Sequence, residues 1–114
     1  MIVKQHGVTP FDFEGLAIRD YTAGLDTTAS FAVITVPPGA VHPQAWSRRS
    51  DKYYYVIDGT IELTVAGEAH ALSAGDFCLV TRGARFSYRN TCGMPATLGL
   101  VHVPGFDAGS EVFV

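Results

Sequence analysis

Residues 53–83 read YYYVIDGTIELTVAGEAHALSAGDFCLVTRG, and their pattern decides the fold class. Four glycines, at positions 59, 67, 75 and 83, are eight residues apart, and β-branched and aromatic residues fill the intervals. Turn residues at this spacing indicate a sandwich or barrel built only from β-strands. Residues 61–65 alternate apolar and polar side chains, which is typical of a strand with one buried face.

Similar apolar runs flank this stretch on both sides. Asp58-Gly59 and residues 66–68 have the composition of hairpin turns, because glycine adopts a positive φ without steric cost. Proline cannot donate to a strand ladder, so residues 37–39 end a strand. No segment has the pattern of an amphipathic helix. We predict strands at 31–36, 53–57, 61–65, 77–81, 86–88 and 98–103.

Length and composition set the class of protein. A chain of 114 residues with 47% hydrophobic residues fits one domain, 1–114, with its own core. A net charge of −3 argues against nucleic-acid and anionic-membrane partners, which require a basic face. No apolar run has the length of a secretory signal or a membrane span, and Cys78 and Cys92 are predicted to be free thiols. We therefore expect a soluble cytoplasmic protein.

Both ends of the chain carry apolar residues, Met1–Val3 and Glu111–Val114. Loose termini are usually polar. We therefore expect the ends to lie in a sheet or an interface, and we predict a homodimer formed by strand exchange or by packing of sheet faces.

Two segments, 39–59 and 75–90, resemble the two motifs of the cupin family. The first motif reads G-x5-H-x-H-x4-E-x6-G and the second reads G-x5-P-x-G-x2-H-x3-N. Gly39 and Gly59 frame the first at the family length, and Gly75, Gly83 and Asn90 hold the second at the family spacing. The resemblance implies an all-β, cupin-type double-stranded β-helix (jelly-roll) barrel.

The residues that bind a metal in the family have been replaced. The resemblance places Ala45 and Ser47 at the two histidine positions, Lys52 at the glutamate and Phe86 at the last histidine. Cupin metals need imidazole and carboxylate donors, which this set lacks. We therefore expect no metal and no other cofactor.

Two alternatives would restore an acidic or metal-binding site. In the first, a bulge turns Asp51 inward in place of Lys52. In the second, His42 and His102 form a substitute metal site with two further donors. Neither alternative supplies the family's paired histidines.

Strand alternation predicts which side chains fill the barrel. If Lys52 faces inward, so do Tyr54 and Val56, while Tyr53 and Tyr55 face outward; the same reasoning turns Phe86 and Tyr88 inward and Arg85 and Arg89 outward. The direction of His102 is left open, because its strand is apolar on both sides. A buried Lys52 either pairs with Asp51 or Tyr54 or extends to the mouth, or it has a lowered pKa and binds an anion or acts as a base or nucleophile.

Residues beside the mouth complete the predicted site. Trp46, followed by Ser47-Arg48-Arg49, is either part of an exposed loop or a lid over an acidic or ring-bearing ligand. The predicted ligand-binding set is Lys52, Tyr54, Tyr88, Phe86, Ser47, Trp46 and His102.

Three functions remain open. The first is a metal-independent cupin that binds a small organic ligand, anionic or aromatic, in its barrel; if it is an enzyme, it catalyses isomerisation or cyclisation by acid–base chemistry. The second is a non-catalytic structural or interaction dimer with a filled lumen. The third is a dioxygenase or isomerase with relocated metal ligands.

Overall fold

A computed structural model describes all 114 residues, and it contains eleven strands and two 3₁₀ turns. All six predicted strands are present, with ends within two residues of the predicted ones. Five strands were not predicted, because they are short, contain proline or have mainly small and charged residues. The strands are β1 Phe11–Phe13, β2 Leu16–Asp20, β3 Ser30–Val36, β4 Val41–Ser47, β5 Asp51–Asp58, β6 Thr60–Val65, β7 Glu68–Ser73, β8 Phe77–Val80, β9 Phe86–Arg89, β10 Ala96–Val103 and β11 Glu111–Phe113.

The strands form two antiparallel sheets that enclose one core. Sheet A has the order β1-β2-β3-β10-β5-β8, and sheet B has the order β11-β4-β9-β6-β7. Fourteen buried residues, contributed by both sheets, form a single hydrophobic cluster. This arrangement confirms the predicted all-β jelly-roll barrel.

The motif residues hold the corners of the barrel. The four evenly spaced glycines all have φ between 79° and 93°. At Gly59 a side chain is also excluded sterically, because a Cβ would lie 2.7 Å from the Pro95 carbonyl oxygen. The buried Asn90 amide donates to the Val36 and Met94 carbonyls at 3.0 and 2.7 Å.

Strand alternation predicted the facing of β5 and β9 correctly. Lys52, Tyr54 and Val56 are buried, whereas Tyr55 is half exposed on the outer face. Phe86 and Tyr88 are also buried, and the guanidinium of Arg89 lies outside, where it pairs with Glu62 at 3.0 Å. The alternative with Asp51 inside is wrong, because its carboxylate accepts the Arg82 N–H outside the barrel at 2.7 Å.

The C-terminal end of the chain lies in a sheet, whereas the N-terminal end does not. β11 pairs with β4, so the C-terminal residues lie in sheet B as expected. Residues 1–4 are exposed and belong to no strand, so the N-terminus does not lie in a sheet of its own chain; its place in an interface stays a prediction. Cys78 and Cys92 are unbonded, and none of the helical segments could cross a membrane.

The outer face of sheet A is strongly apolar. Tyr55 and Ile57 on β5 lie beside Phe77 and Leu79 on β8, and each of the four is 42–56% exposed. Phe31 and Val103, on the neighbouring strands, extend the same face. Contiguous exposed apolar patches of this kind mark interaction surfaces.

Candidate functional site

A cavity of about 340 Å³ lies between the two sheets. Its size is at the lower end of the roughly 300–1,000 Å³ that is usual for small-molecule sites. Most of the lining is apolar, and a few polar side chains converge on it. The polar and ionisable residues of the lining are Asp20, Ser30, His42, Lys52, Tyr54, Tyr88, His102 and Glu111.

Sheet A provides a wall built around Lys52. Cross-strand pairing of β5 with β10 places His102 beside Lys52. The Lys52 ammonium donates to the carboxylate of Glu111, which arrives on β11, and it lies 4.8 Å from the Phe86 ring centroid. Burial lowers the pKa of Lys52, while the hydrogen bond and charge of Glu111 act in the opposite direction.

Sheet B provides the facing wall, built around His42. The pairing of β4 with β9 places His42 opposite Tyr88, and the two rings stack at 4.9 Å between centroids. Phe13, Phe86 and Phe113 have ring centroids 5.0–6.2 Å from that of His42, so the imidazole lies in an aromatic environment.

The protonation state of His42 follows from its contacts. Its Nδ1 lies 2.7 Å from the Pro43 carbonyl oxygen, which can only accept, so Nδ1 carries the hydrogen. Burial lowers the pKa of His42 to about 4, and the positive charge of Lys52 contributes in the same direction. At neutral pH the ring is therefore uncharged, with its lone pair on Nε2.

Two buried polar atoms of the site have no hydrogen-bond partner in the protein: Tyr88 Oη and His102 Nε2. Their residues are 2% and 5% exposed, and both line the cavity from opposite sheets. Burial raises the pKa of Tyr88 and lowers that of His102 to about 3, so both are neutral at pH 7. An unpartnered buried polar group is costly, so each atom is a place where a ligand would gain a hydrogen bond.

Of the seven predicted ligand-binding residues, four line the cavity and three do not. Lys52, Tyr54, Tyr88 and His102 come together there, and burial raises the pKa of Tyr54 well above its usual value. Phe86 packs behind His42 and Tyr54. The Ser47 hydroxyl accepts the N–H groups of Arg49 and Ser50 and so closes a local turn.

Trp46 is not placed as a lid. It lies between the buried Ala45 and Ser47 on β4, so its ring is on the other face of the strand. The Arg48 guanidinium covers that ring at 5.6 Å. The predicted pairing of Lys52 with Asp51 or Tyr54 is also wrong, since its hydrogen-bond partner is Glu111.

Glu111 was not among the residues predicted from the sequence, and His42 was predicted only as a possible metal ligand. Alternation from Ala45 and Ser47 places residue 42 outside the barrel. The β4–β9 register shifts between His42 and Ala45, however, and this irregularity turns His42 inward. Pro43 was the available signal, because a proline inside a strand often marks a bulge.

The family's metal positions do not fit a metal here. Ala45, Ser47, Lys52 and Phe86 are each at most 3% exposed, and together they supply no imidazole or carboxylate. No group of three or more His, Cys, Asp or Glu side chains lies close enough to hold an ion, so the proposed site from His42 and His102 lacks its further donors.

The two-sheet barrel and its altered motif positions define a cupin without the usual metal ligands. Residues 32–103 match the family described as Cupin domain, and this is more than half of the chain. The chain therefore belongs to the cupin family.

Two curated proteins resemble parts of the chain. It is 34% identical over 80 residues to Endoribonuclease YbeY of Myxococcus xanthus (strain DK1622). It is 33% identical over 70 residues to Tetracenomycin polyketide synthase protein TcmJ of Streptomyces glaucescens. These matches cover 68% and 61% of this chain but 27% and 47% of those proteins, so the chain spans about a quarter and about half of their lengths.

Among solved structures, the barrel is similar to Pac13, described as a unique nucleoside dehydratase. The TM-score is 0.87 at 22% identity, over 100% of this chain and 90% of that one. Streptomyces PAC13 has also been solved with uridine as variants with one tyrosine changed to phenylalanine or a histidine changed to glutamine. At this identity the similarity shows a shared fold.

Proposed function

We propose that this chain is a metal-independent cupin enzyme that binds a small ring-bearing molecule of the nucleoside type and eliminates water from it by acid–base catalysis. The observation that carries the proposal is the pair of buried, unpartnered atoms, Tyr88 Oη and His102 Nε2, on facing walls of one cavity. The full-length similarity in fold to a nucleoside dehydratase supports the reaction class.

Aromatic rings and unpartnered polar atoms of the cavity would bind the ligand. Phe13, Phe113 and the stacked pair of His42 and Tyr88 provide flat apolar surface for a ring. Tyr88 Oη and His102 Nε2 provide polar contacts that would fix its orientation. A mostly apolar cavity with a few convergent polar groups is the usual form of a ligand site.

The catalytic part of the proposal assigns a base and an acid. His42 Nε2 has the lone pair needed to remove a proton from carbon, while the Tyr88 hydroxyl or the Lys52 ammonium can give a proton to the departing hydroxyl. One C–H and one C–O bond break, a C=C bond forms, and water leaves. No redox partner is required.

We expect uridine, used as a probe, to bind the wild-type protein, and Tyr88→Phe to weaken that binding about tenfold, since one hydrogen bond is worth about 1.4 kcal/mol. Isothermal titration calorimetry in EDTA measures both. Tyr55→Phe, on the outer face, is the matched control and should bind like wild type. Absence of uridine binding, or equal affinity for both variants, would contradict the proposal.

A homodimer formed through the outer face of sheet A is a second proposal. The face presents six large apolar side chains, and a twofold axis would cover the same six on each copy. They expose on the order of 500 Å² per copy, a substantial part of the roughly 800 Å² that each partner buries in a standard interface.

Changing Leu79, on the edge strand β8 of this face, to lysine should convert the dimer into a monomer, because an ammonium would be buried against apolar side chains. Light scattering coupled to size-exclusion chromatography gives the mass. Ala71→Lys, at an exposed position on β7 of the other sheet, is the comparison and should leave the mass unchanged. A monomeric wild-type protein would refute the dimer.

A further inference from the structure

Glu111 balances the positive charge inside the cavity. Lys52 is the one lysine or arginine of the lining, and its ammonium is hydrogen-bonded to the Glu111 carboxylate. The lining contains a second carboxylate, Asp20, whose Oδ1 accepts hydrogen bonds from the Thr22 N–H and hydroxyl at 3.0 and 2.9 Å. With both histidines neutral, one cation and two carboxylates face the cavity.

We infer that Glu111 is a specificity-determining residue, which neutralises Lys52 so that the cavity accepts an uncharged ligand and rejects the phosphorylated or carboxylated form of the same molecule. This inference rests on the proposed function and names its substrate class: an uncharged, hydroxylated, ring-bearing molecule. It differs from the sequence-based expectation, in which Lys52 alone would bind an anion.

The charges of the cavity account for the selectivity. An unpaired buried ammonium would attract a phosphate or carboxylate strongly, because the Coulomb interaction is large where water is excluded. The Lys52 ammonium is already paired with the Glu111 carboxylate. An incoming anion would have to displace that carboxylate from the ammonium, and the negative charges of Glu111 and Asp20 would repel it. Like charges at close range oppose ionisation and binding alike.

The unpartnered atoms favour the uncharged ligand. A hydroxyl both donates and accepts, so it can pair with Tyr88 Oη and with either tautomer of His102. These contacts require no change in the Lys52–Glu111 pair. A neutral hydroxylated ligand therefore satisfies the buried polar atoms without introducing a further charge.

The test compares uridine with uridine 5′-monophosphate, which have the same ring and sugar. The ratio of their affinities is measured by calorimetry for proteins that differ only in the charge beside the cavity. Wild type should bind uridine at least tenfold more tightly than the monophosphate. Glu111→Gln should shift the ratio at least tenfold toward the monophosphate, because the amide keeps a hydrogen-bond acceptor but removes the negative charge.

Two further variants complete the charge series. Lys52→Met should shift the ratio away from the monophosphate, and the neutral double variant Lys52→Met/Glu111→Leu should lie near wild type. Glu62→Gln removes a carboxylate on the outside of sheet B and should leave the ratio unchanged. If Glu111→Gln does not fold, the double variant and Lys52→Met still show whether the ratio of the two affinities follows the charge beside the cavity.

The outcomes separate this inference from the proposed function. Uridine binding with the same ratio in every folded variant would overturn the role of Glu111 and leave the proposed function intact. Tighter binding of the monophosphate by wild type would also overturn it. Absence of binding of either compound to wild type would overturn the proposed function and the inference together.

Discussion

Replacing Glu111 by leucine should lower the free energy of unfolding by about 3 kcal/mol or more, because it leaves the buried Lys52 ammonium without its partner. Lys52 is 3% exposed, and Glu111 is its hydrogen-bond acceptor. Urea unfolding at pH 7 measures the change, with the slope checked for two-state behaviour.

The double variant Lys52→Met/Glu111→Leu distinguishes an unpaired charge from a loss of packing. It removes both charges and should recover most of the stability, since apolar replacement of a buried ion pair is often neutral or favourable. Glu62→Leu breaks the exposed Glu62–Arg89 pair and should cost less than about 1 kcal/mol. A double variant as unstable as Glu111→Leu alone would show that Glu111 acts through packing.

The barrel could be predicted from the sequence because turn residues and strand alternation, the features that define it, depend on short segments of chain. Positive φ at four evenly spaced glycines and alternation along β5 and β9 depend on a residue and its immediate neighbours. Alternation predicted that Tyr54 shares the face of Lys52 and that Tyr88 shares the face of Phe86, and the resemblance to the cupin motifs placed these faces inside the barrel. The same alternation, applied at Ala45 and Ser47, would have placed Trp46 outside.

The remaining site residues depend on relations that local rules do not describe. His42 faces the cavity because a register shift interrupts β4, so counting back from Ala45 gives the wrong side. Glu111 reaches Lys52 from 59 residues away, because β11 pairs with β4 and forms the edge of sheet B. The direction of His102 required its neighbours in β3 and β5, since its own strand is apolar on both faces.

The charge at the lost metal site illustrates how the site differs from its family. Lys52 occupies the position of the family's glutamate, and a glutamate from the C-terminal strand pairs with it. In metal-binding cupins the positive charge beside the carboxylate is that of the bound metal ion. In this chain the positive charge is the Lys52 ammonium, so both partners are protein side chains. The arrangement gives an ion pair beside the cavity, and it leaves the neutral side chains to contact the proposed ligand.

His42 and His102 should make the protein sensitive to acid in a defined range. Their pKa values in the folded state, about 4 and about 3, lie below the ordinary value of 6.5. Between the folded-state pKa of each histidine and its ordinary value of 6.5, the unfolded chain binds a proton that the folded chain does not. The free energy of unfolding is therefore highest above about pH 6.5 and falls as the pH is lowered. Burial is the larger cause, and the charge of Lys52 adds to it in both residues.

The expected loss between pH 6.5 and pH 4.5 is about 2 kcal/mol for each histidine, since one pH unit corresponds to about 1.4 kcal/mol per proton. His102→Gln should remove about half of the loss that the two histidines cause between pH 6.5 and pH 4.5, whether or not the substitution changes the free energy of unfolding at pH 7. Urea unfolding of wild type and His102→Gln at several pH values gives the dependence of the free energy of unfolding on pH for each protein. If His102→Gln and wild type lose stability equally over this range, the pKa of His102 is not lowered in the folded protein, and its burial in the cavity is contradicted.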